Sequence, residues 1–336
     1  LLGSCDKIVP VLLMAAARLD LPAILLNGGP MLGGPCYEEG RPSDATNMVE
    51  AVGQLLNKEI DMERVLEMEN NCSPGVGSCP FLGTANSMGV LAEALGMSLP
   101  GSSMIPAVHA ARFRVAQDTG RCIVDMARSG LTARKIMTAG AFENAVRVLS
   151  AIGGSTNTAL HAPAIAYEAE LEFELDLFDR LSRDTPLLAK INPAGPANTT
   201  DFHEAGGVQA VLSELKPLLR LDALNVTGKT LGETLESAPM KVNRKIIRPL
   251  AEPYEQSGGL GVLRGNLAPD GSVTKPAAIK AELRVFEGPA RCFDSEYEAN
   301  EAILAGRIQP GEVVVIRYAG PKGGPGMPEM FRAMKL

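Results

Sequence analysis

Three consecutive residues near the start of the chain, Cys5, Asp6 and Lys7, could bind metal ions. A cysteine thiolate suits iron or zinc and a carboxylate suits magnesium, so one turn of chain could serve two kinds of metal. A helical pattern from about Pro10 to Leu19 follows and would hold the triplet at a helix start. A loop cysteine beside a surface ion pair explains the same residues, and the spacing is not the CxxC of a zinc ribbon.

A second pair of cysteines, Cys72 and Cys79, lies in a loop rich in glycine and proline. Pro80 is typical of a first helical residue, apolar residues then recur at helical spacing, and Gly96 is typical of a helix end. We therefore expect Cys79 at a helix N-terminus, where the helix dipole favours a thiolate. Metal binding and burial in a core are equally compatible with the pair, and the helix start favours Cys79 as the ligand.

Two glycine-rich segments could bring backbone N–H groups close to a ligand. Ser155, Thr156 and Asn157 follow a pair of glycines and precede a predicted helix from Thr158 to Glu168, so they could cap that helix and bind substrate. A purely structural cap is equally compatible with them. Glu329 follows a loop with four glycines that would permit close approach of an anion or metal, although an ordinary strand turn gives the same pattern.

The remaining candidate side chains carry weaker signals. The histidines are too few and too dispersed for a histidine metal motif, and His161 is interpreted as a structural residue. Cys36, Cys122 and Cys292 show no partner pattern, so we expect ordinary core or surface thiols. The sequence contains neither the lysine-bearing phosphate loop nor the dinucleotide fingerprint, so nucleotide binding is poorly supported.

The elements around these residues indicate an α/β fold. Short apolar runs alternate with helical patterns in the first part of the chain, and Leu21 to Leu26 is expected to be a buried strand. Short strand patterns dominate the end of the chain, including Ala278 to Phe286. We predict an α/β domain over residues 1–218, an interdomain segment over 219–246, and an incomplete, barrel-like, β-rich domain over 247–336.

Composition excludes several classes of protein. The formal net charge of -7 and the scattered basic residues argue against nucleic acid as a partner. The longest apolar run is about half a membrane span, so we expect a soluble protein with no membrane partner. Six cysteines in 336 residues, with no signal peptide, favour a reducing, cytoplasmic compartment. Both chain ends lie within structural patterns, which suggests a fragment.

Six blocks of the sequence, taken in order, resemble one known family. They are SCDKIVPVLLMAAARLDLPAI, LNGGPM, GSCPFLGTANSMGVLAEALGMSLPG, AFENAVRVLSAIGGSTNTALH, DFHEAGGVQAVL and YAGPKGGPGMPEM. The chain is similar over nearly its whole length to the iron–sulfur dehydratases that act on dihydroxy acids, sugar acids and phosphogluconate. Six ordered blocks make chance similarity a poor explanation, so the structural alternatives for Cys5, Cys79 and Glu329 lose most of their weight.

The resemblance implies a set of cofactor ligands. By motif, Cys5 and Cys79 match two of three cysteines that hold an iron–sulfur cluster, of the 2Fe–2S or 4Fe–4S type. Asp6, Lys7 and Glu329 match ligands of a Mg²⁺ ion, and the family's lysine is carbamylated, which turns a cation into an oxygen ligand. A third cysteine and a further acidic ligand are expected upstream. No catalytic base is assigned, because the family's serine base follows the last block.

The implied reaction removes water from a 2,3-dihydroxy acid and forms a 2-oxo acid, with the cluster as Lewis acid and Mg²⁺ on the carboxylate. The first choice is the dihydroxy-acid dehydration of branched-chain amino-acid synthesis, and a sugar acid is the second. A small hydroxy acid is the expected ligand, and a homodimer or larger homo-oligomer the expected assembly. The rival from another class is an inactive chain that only folds or oligomerises, and we expect negligible activity from these 336 residues alone.

Overall fold

The computed structural model describes residues 1–38, 41–237, 241–320 and 330–335. The chain divides into two compact units. The first comprises Leu1–Leu32 and Gly75–Ala278, and the second comprises Gly33–Pro74 and Ile279–Leu336. The predicted division at residues 219–246 stays a prediction, and the two units divide the chain at other positions.

Helices make up most of the regular structure, and the strands are short. The helices are α1 (Ile8–Leu19), α2 (Ala45–Leu56), α3 (Met62–Asn71), α4 (Thr84–Ala94), α5 (Ala110–Ser129), α6 (Ala133–Ile136), α7 (Ala139–Ile152), α8 (Thr158–Glu168), α9 (Leu175–Arg183), α10 (Thr199–Glu204), α11 (Gly207–Glu214), α12 (Leu231–Glu236), α13 (Glu296–Leu304) and α14 (Phe331–Lys335). The strands are β1 (Leu2–Gly3), β2 (Leu26–Asn27), β3 (Cys36–Glu38), β4 (Arg41–Pro42), β5 (Gly261–Leu263), β6 (Ser272–Thr274), β7 (Ala290–Phe293) and β8 (Val313–Ile316).

Helix α4 forms the centre of the first unit. Every one of its residues is buried, and it packs against α7, α1 and α8. Gly89 of α4 permits close approach of the helix to β2, because a Cβ at this position would collide with the Asn27 side-chain amide. A single hydrophobic cluster runs from Val9 of α1 to Leu260, so these helices share one core.

Helix α4 begins later than the sequence predicts. The prediction placed Pro80 at the first helical position, but the helix starts at Thr84 with Gly83 as its N-cap. The carbonyl of Pro80 accepts hydrogen bonds from the backbone N–H and hydroxyl of Thr199, at 2.9 Å each. That contact holds the segment before Gly83 away from the helix axis. The predicted helix end is confirmed, because Gly96 has a φ of 88°.

The buried strand predicted from Leu21 to Leu26 is much shorter in the structure. Only Leu26 and Asn27 form strand β2, which pairs in parallel with β1. The N–H of Leu25 donates instead to the carbonyl of Met97, at 2.8 Å, in the turn that follows α4. Packing against the central helix therefore replaces a sheet ladder for this run.

A buried arginine joins the loop after α4 to β2. Arg112 of α5 donates to the carbonyls of Asn27, at 2.8 Å, of Ser102, at 3.0 Å, and of Ile105. Burial lowers the pKa of the Arg112 guanidinium to about 10, and the nearby Glu93 carboxylate opposes this shift. The side chain therefore remains charged at neutral pH. Because it satisfies three buried carbonyls, it holds the segment after β2 in place.

The second unit contains a helical hairpin and two small sheets. Helices α2 and α3 pack together around Ala51, Val65, Met68 and Cys72. Strands β3 and β4 are antiparallel, whereas β7 and β8 are parallel and pack against α13. The chain is thus confirmed as a mixture of helices and strands.

Two features predicted for the last part of the chain are corrected. The strand predicted from Ala278 to Phe286 is wrong, because Pro276–Ala278 and Ala281–Leu283 are short 3₁₀ helices. Local bonds, such as Leu283 N–H to Lys280 carbonyl at 2.9 Å, satisfy this backbone in place of a partner strand. The sheets of the described residues have two strands each, so these residues form no closed barrel. None of the helices within them is long and apolar enough to span a bilayer.

We expect His203 to make the free energy of unfolding depend on pH. Burial lowers the pKa of His203, the neighbouring His109 and Arg112 add to this, and Glu204 opposes it. Above the unfolded value of about 6.5 both states are neutral, so the stabilisation is complete. As the pH falls below that value, the unfolded state takes up the proton first, and stability decreases until the folded-state pKa is passed. Urea unfolding midpoints measured over this interval should fall less steeply for His203→Gln. An unchanged slope would contradict the assignment.

Candidate functional site

Three helices of the first unit begin next to most of the residues that the sequence predicts for the site. Helix α1 packs against α8 and α4, and α8 also packs against α4. The start of α1 carries Cys5, Asp6 and Lys7, and Lys7 is its N-cap. The start of α8 carries the turn of residues 155–157, with Asn157 as its N-cap.

The two cysteines assigned as cluster ligands follow neighbouring parallel segments. The N–H of Gly28 donates to the carbonyl of Gly3, just after the paired residues of β1 and β2. Pro30 pairs in parallel with Ser78. Cys5 and Cys79 therefore each follow a segment that is hydrogen-bonded to the same stretch of chain, residues 26–31.

The backbone at Cys5 adopts an uncommon conformation. Cys5 has a φ of 75°, in the left-handed region that non-glycine residues rarely occupy. Such residues cost on the order of 1–3 kcal/mol and are concentrated at ligand sites. The thiol is exposed at the turn into α1. This conformation supports the view that Cys5 is held in place for binding.

Cys79 does not lie at a helix N-terminus, which corrects the sequence prediction. Four residues separate it from Thr84, so the dipole of α4 is not the reason for its position. The side-chain amide of Asn86 donates to the carbonyls of Cys79 and Phe81, at 2.5 and 2.8 Å, and accepts a bond from Ser78. Asn86 thus ties the cysteine loop to the first turn of α4. This contact depends on the tertiary course of residues 78–86, and no sequence motif indicated it.

Asp6 and Lys7 form an ion pair, and one carboxylate oxygen has no partner. Lys7 Nζ contacts Asp6 Oδ2, whereas the buried Asp6 Oδ1 accepts no hydrogen bond from any residue that the structure describes. Within the same residues, the buried hydroxyl of Ser4 also lacks a partner. A divalent cation would satisfy a carboxylate oxygen of this kind, so the residues fit a Mg²⁺ site. Among the described residues, no group of three histidine, cysteine or acidic side chains could hold a metal ion by itself.

The turn before α8 is bonded to the first turn of α4. The hydroxyls of Ser155 and Thr84 lie 2.8 Å apart, and Asn157 Nδ2 donates to Thr84 Oγ1 at 3.0 Å. The N–H of Ser155 donates to Ser87 Oγ at 2.9 Å. The predicted side-chain cap by Asn157 is absent, and the Ser155 hydroxyl accepts from the Asn157 N–H at 3.3 Å instead. The hydroxyl and N–H of Thr156 have no partner among the described residues.

His161 belongs to this cluster, although its sequence suggested only a structural role. It lies in the first turn of α8, is 1% exposed, and its Nε2 has no hydrogen-bond partner among the described residues. Burial lowers the pKa of His161, the charge of Lys7 adds to this, and that of Asp6 opposes it. The imidazole therefore lies within the electrostatic influence of the Asp6–Lys7 pair. Its place one turn after the GGSTN segment was the only available signal.

The other cysteines lie in different surroundings. Cys72 is 1% exposed in the core of the second unit, and burial raises the pKa of its thiol. Cys122 donates from its thiol to the Val226 carbonyl at 3.2 Å, and Cys36 and Cys292 are exposed. The predicted metal ligand Glu329 lies outside the described residues, so its relation to Asp6 and Lys7 stays a prediction.

Comparison with known proteins identifies relatives over the whole chain. Residues 1–234 match the family model described as dihydroxy-acid/6-phosphogluconate dehydratase N-terminal, and residues 245–336 match the corresponding C-terminal model. The dihydroxy-acid dehydratase of Caldanaerobacter subterraneus subsp. tengcongensis is 50% identical over 333 residues, which are 98% of this chain and 59% of that protein. The dihydroxy-acid dehydratase of Methanosarcina barkeri is 49% identical over 336 residues, 99% of this chain and 60% of that protein. The chain thus spans about three fifths of the length of these relatives.

Proposed function

The chain belongs to the dihydroxy-acid/6-phosphogluconate dehydratase family, and on this basis we propose that it serves the dehydration of a 2,3-dihydroxy acid. The observation that carries the proposal is identity of about one half, over nearly all of this chain, with relatives named dihydroxy-acid dehydratase. The substrate of first choice is the dihydroxy acid of branched-chain amino-acid synthesis. A sugar acid is the alternative substrate, and arabinonate represents it in the assay.

The reaction removes one proton and one hydroxyl group. The substrate loses the proton from C2 and the hydroxyl from C3, which together leave as water. The resulting enol takes a proton at C3 and releases the proton of its 2-hydroxyl, which gives a 2-oxo acid, so no oxidant or reductant is needed. The protein must therefore hold the carboxylate and both hydroxyls while it assists departure of the 3-hydroxyl.

We assign Cys5 and Cys79 to the iron–sulfur cluster and Asp6, carbamylated Lys7 and Glu329 to Mg²⁺. Their support is the oxygen of Asp6 that has no partner among the described residues, the left-handed backbone of Cys5, and the pairing of the segments before both cysteines with residues 26–31. When bound, the cluster would supply a Lewis acid and Mg²⁺ would polarise the carboxylate and 2-hydroxyl. The type of cluster and the state of Lys7 are parts of this proposal.

The turn of residues 155–157 is the proposed substrate-positioning element. Ser155 and Asn157 are held by Thr84, so the turn is rigid before any ligand binds. Thr156 retains an unpaired hydroxyl and N–H, which can donate to a substrate oxygen. His161, neutral and buried one turn later, can accept or donate one further hydrogen bond at Nε2. The serine expected as the base follows the last sequence block.

The assay compares the 336-residue chain with the protein translated from the whole reading frame that encodes it. Both are reconstituted anaerobically with iron, sulfide, Mg²⁺ and bicarbonate, and 2-oxo acid is measured from 2,3-dihydroxyisovalerate and from arabinonate. We expect turnover of 2,3-dihydroxyisovalerate by the longer protein and negligible turnover by the shorter chain. A preference for arabinonate would favour the alternative substrate. Formation of no 2-oxo acid from either compound by the longer protein would contradict the proposal.

Asp6→Asn is the matched variant for the magnesium site. Because the amide carries no negative charge, we expect the rate of the reconstituted longer protein to fall by about 10- to 100-fold, with weaker Mg²⁺ binding. Asp118→Asn is the control, since Asp118 forms an exposed ion pair with Arg121 on α5. Equal rates for the two variants would exclude Asp6 as a ligand.

We also propose a reducing, cytoplasmic location and a homodimer or larger homo-oligomer. Within the described residues, which include all six cysteines, no disulfide bond is present, and this is compatible with a reducing compartment. The oligomeric state is open to measurement by sedimentation of the longer protein.

A further inference from the structure

Lys275 is a cation without a counterion among the described residues. It follows β6 and precedes the 3₁₀ helix Pro276–Ala278, within the first unit. Within the described residues, Lys275 Nζ takes part in no hydrogen bond or ion pair, although the side chain is half-buried. Burial lowers the pKa of Lys275 to about 8, and no neighbouring charge opposes the shift. The amine is therefore mostly protonated at neutral pH and poorly solvated.

The aliphatic part of Lys275 lies over the glycine that ends α7. A Cβ built on Gly153 would lie 3.7 Å from Lys275 Cε and 3.4 Å from the Cβ of Ala277. Gly153 has a φ of 63°, so the left-handed helix end also favours glycine here. The absence of a side chain at residue 153 leaves room for the lysine. Lys275 thus lies against Gly153, which is two positions before the turn of residues 155–157 begins.

An anion bound beside the turn of residues 155–157 is a suitable partner for the charge of Lys275. Burying an ammonium group without a partner is unfavourable, and an anion that binds beside it recovers part of the lost solvation. The turn offers neutral donors, the unpaired hydroxyl and N–H of Thr156, but no full positive charge. A carboxylate is bound more strongly when a positive charge accompanies directional donors. Lys275 would add the charge to the donors of the turn.

We propose that Lys275 is a further substrate-binding residue, whose ammonium group holds the carboxylate of the hydroxy acid beside the turn of residues 155–157. This proposal rests on the proposed function for the identity of the ligand. If Lys275 had only a structural role, the packing of its aliphatic stem would matter and its charge would not affect ligand binding. The charge of the bound ligand is therefore the quantity to test.

The first experiment measures the reactivity of lysine amines in the 336-residue chain. The chain is treated with limiting amine-acetylating reagent, and acetylation of Lys275 and of the exposed Lys280 is quantified by mass spectrometry. We expect 2,3-dihydroxyisovalerate to slow acetylation of Lys275 about tenfold when present at about ten times its Kd. Lys280 should be unaffected, and the uncharged methyl ester should protect neither residue. Equal protection by acid and ester, or no protection of Lys275, would overturn the proposal.

The second experiment replaces the amine. Lys275→Met keeps an unbranched stem and removes the charge, so we expect the Kd of 2,3-dihydroxyisovalerate, measured by calorimetry, to rise about 10- to 100-fold. Lys275→Arg should recover part of the affinity, and Lys280→Met should match the unaltered chain. Urea midpoints identify any variant that fails to fold, in which case the acetylation result decides. Unchanged affinity in folded Lys275→Met would overturn the proposal.

The outcome is separable from that of the dehydratase assay. Protection of Lys275 by the acid supports the anion site even if the longer protein forms no 2-oxo acid. Turnover by the longer protein, together with unprotected Lys275, supports the dehydratase proposal and overturns this one.

Discussion

Cys79→Ser is expected to abolish the visible iron–sulfur absorption of the protein translated from the whole reading frame, whereas Cys72→Ser leaves it intact. Cys79 follows Ser78, which pairs with Pro30, and the strand before Cys5 pairs with residues 26 and 27 of the same segment. Asn86 and Thr199 hold its loop by hydrogen bonds to backbone carbonyls. A serine hydroxyl is a poor ligand for iron at neutral pH, so bound iron and sulfide should fall by at least about 10-fold.

The control residue differs from Cys79 in every property that matters for ligation. Cys72 lies in the second unit, where it is buried among apolar side chains, and burial raises the pKa of its thiol. A neutral, enclosed thiol of this kind behaves as a small hydrophobic residue. Loss of the absorption in Cys72→Ser together with its retention in Cys79→Ser would show that the wrong cysteine has been assigned. Iron content, acid-labile sulfide and the visible spectrum give independent readings.

Arg112→Met is expected to lower the free energy of unfolding of the 336-residue chain by about 3–5 kcal/mol. The methionine retains the apolar stem but leaves the buried carbonyls of Asn27, Ser102 and Ile105 without the donor that now serves all three. Each unsatisfied carbonyl costs about 1–3 kcal/mol, and Glu93 also loses the favourable interaction with the Arg112 charge. Urea unfolding followed by circular dichroism measures the change.

Arg114→Met is the matched control for this substitution. Arg114 lies on the same helix, is exposed, and forms no hydrogen bond or ion pair among the described residues. We expect its replacement to change stability by no more than about 0.5 kcal/mol. Arg112→Lys should be intermediate, because an ammonium group cannot donate to three carbonyls in the geometry of a guanidinium. Equal effects of Arg112→Met and Arg114→Met would show that the buried hydrogen bonds contribute nothing.

Helices with strong local signals were predictable from the sequence. The predicted bounds of α8, Thr158 to Glu168, are those of the structure, and α1 differs from its prediction by two residues at its start. These segments combine apolar periodicity with start and stop residues, so local propensity and packing agree. The start of α4 was not predictable in this way. Pro80 carries a helix-start signal, but its carbonyl bonds to Thr199, which lies 119 positions away in sequence.

The candidate site was predictable in its residue types and less so in its arrangement. The resemblance to the dehydratase family is confirmed by the family models, and it directed attention to Cys5, Asp6 and Cys79. The side chains that hold the site in place, Thr84 and Asn86, have no motif of their own. His161 was set aside because a lone histidine on a helix usually has a structural role. Its unpartnered Nε2 became visible only in the folded chain.

The sequence by itself determined the family, the mixture of helices and strands, and the residues proposed here as metal ligands, because ordered motifs and local periodicity are properties of the chain alone. Only the tertiary structure decided which of these residues share a location. The starts of α1, α4 and α8 come together through packing of their apolar faces. The loop of Cys79 is held by Asn86 of α4 and by Thr199, which lies 119 positions from Pro80, and Lys275 lies against Gly153 across 122 positions. Contacts between distant segments depend on the whole core, so no local pattern encodes them.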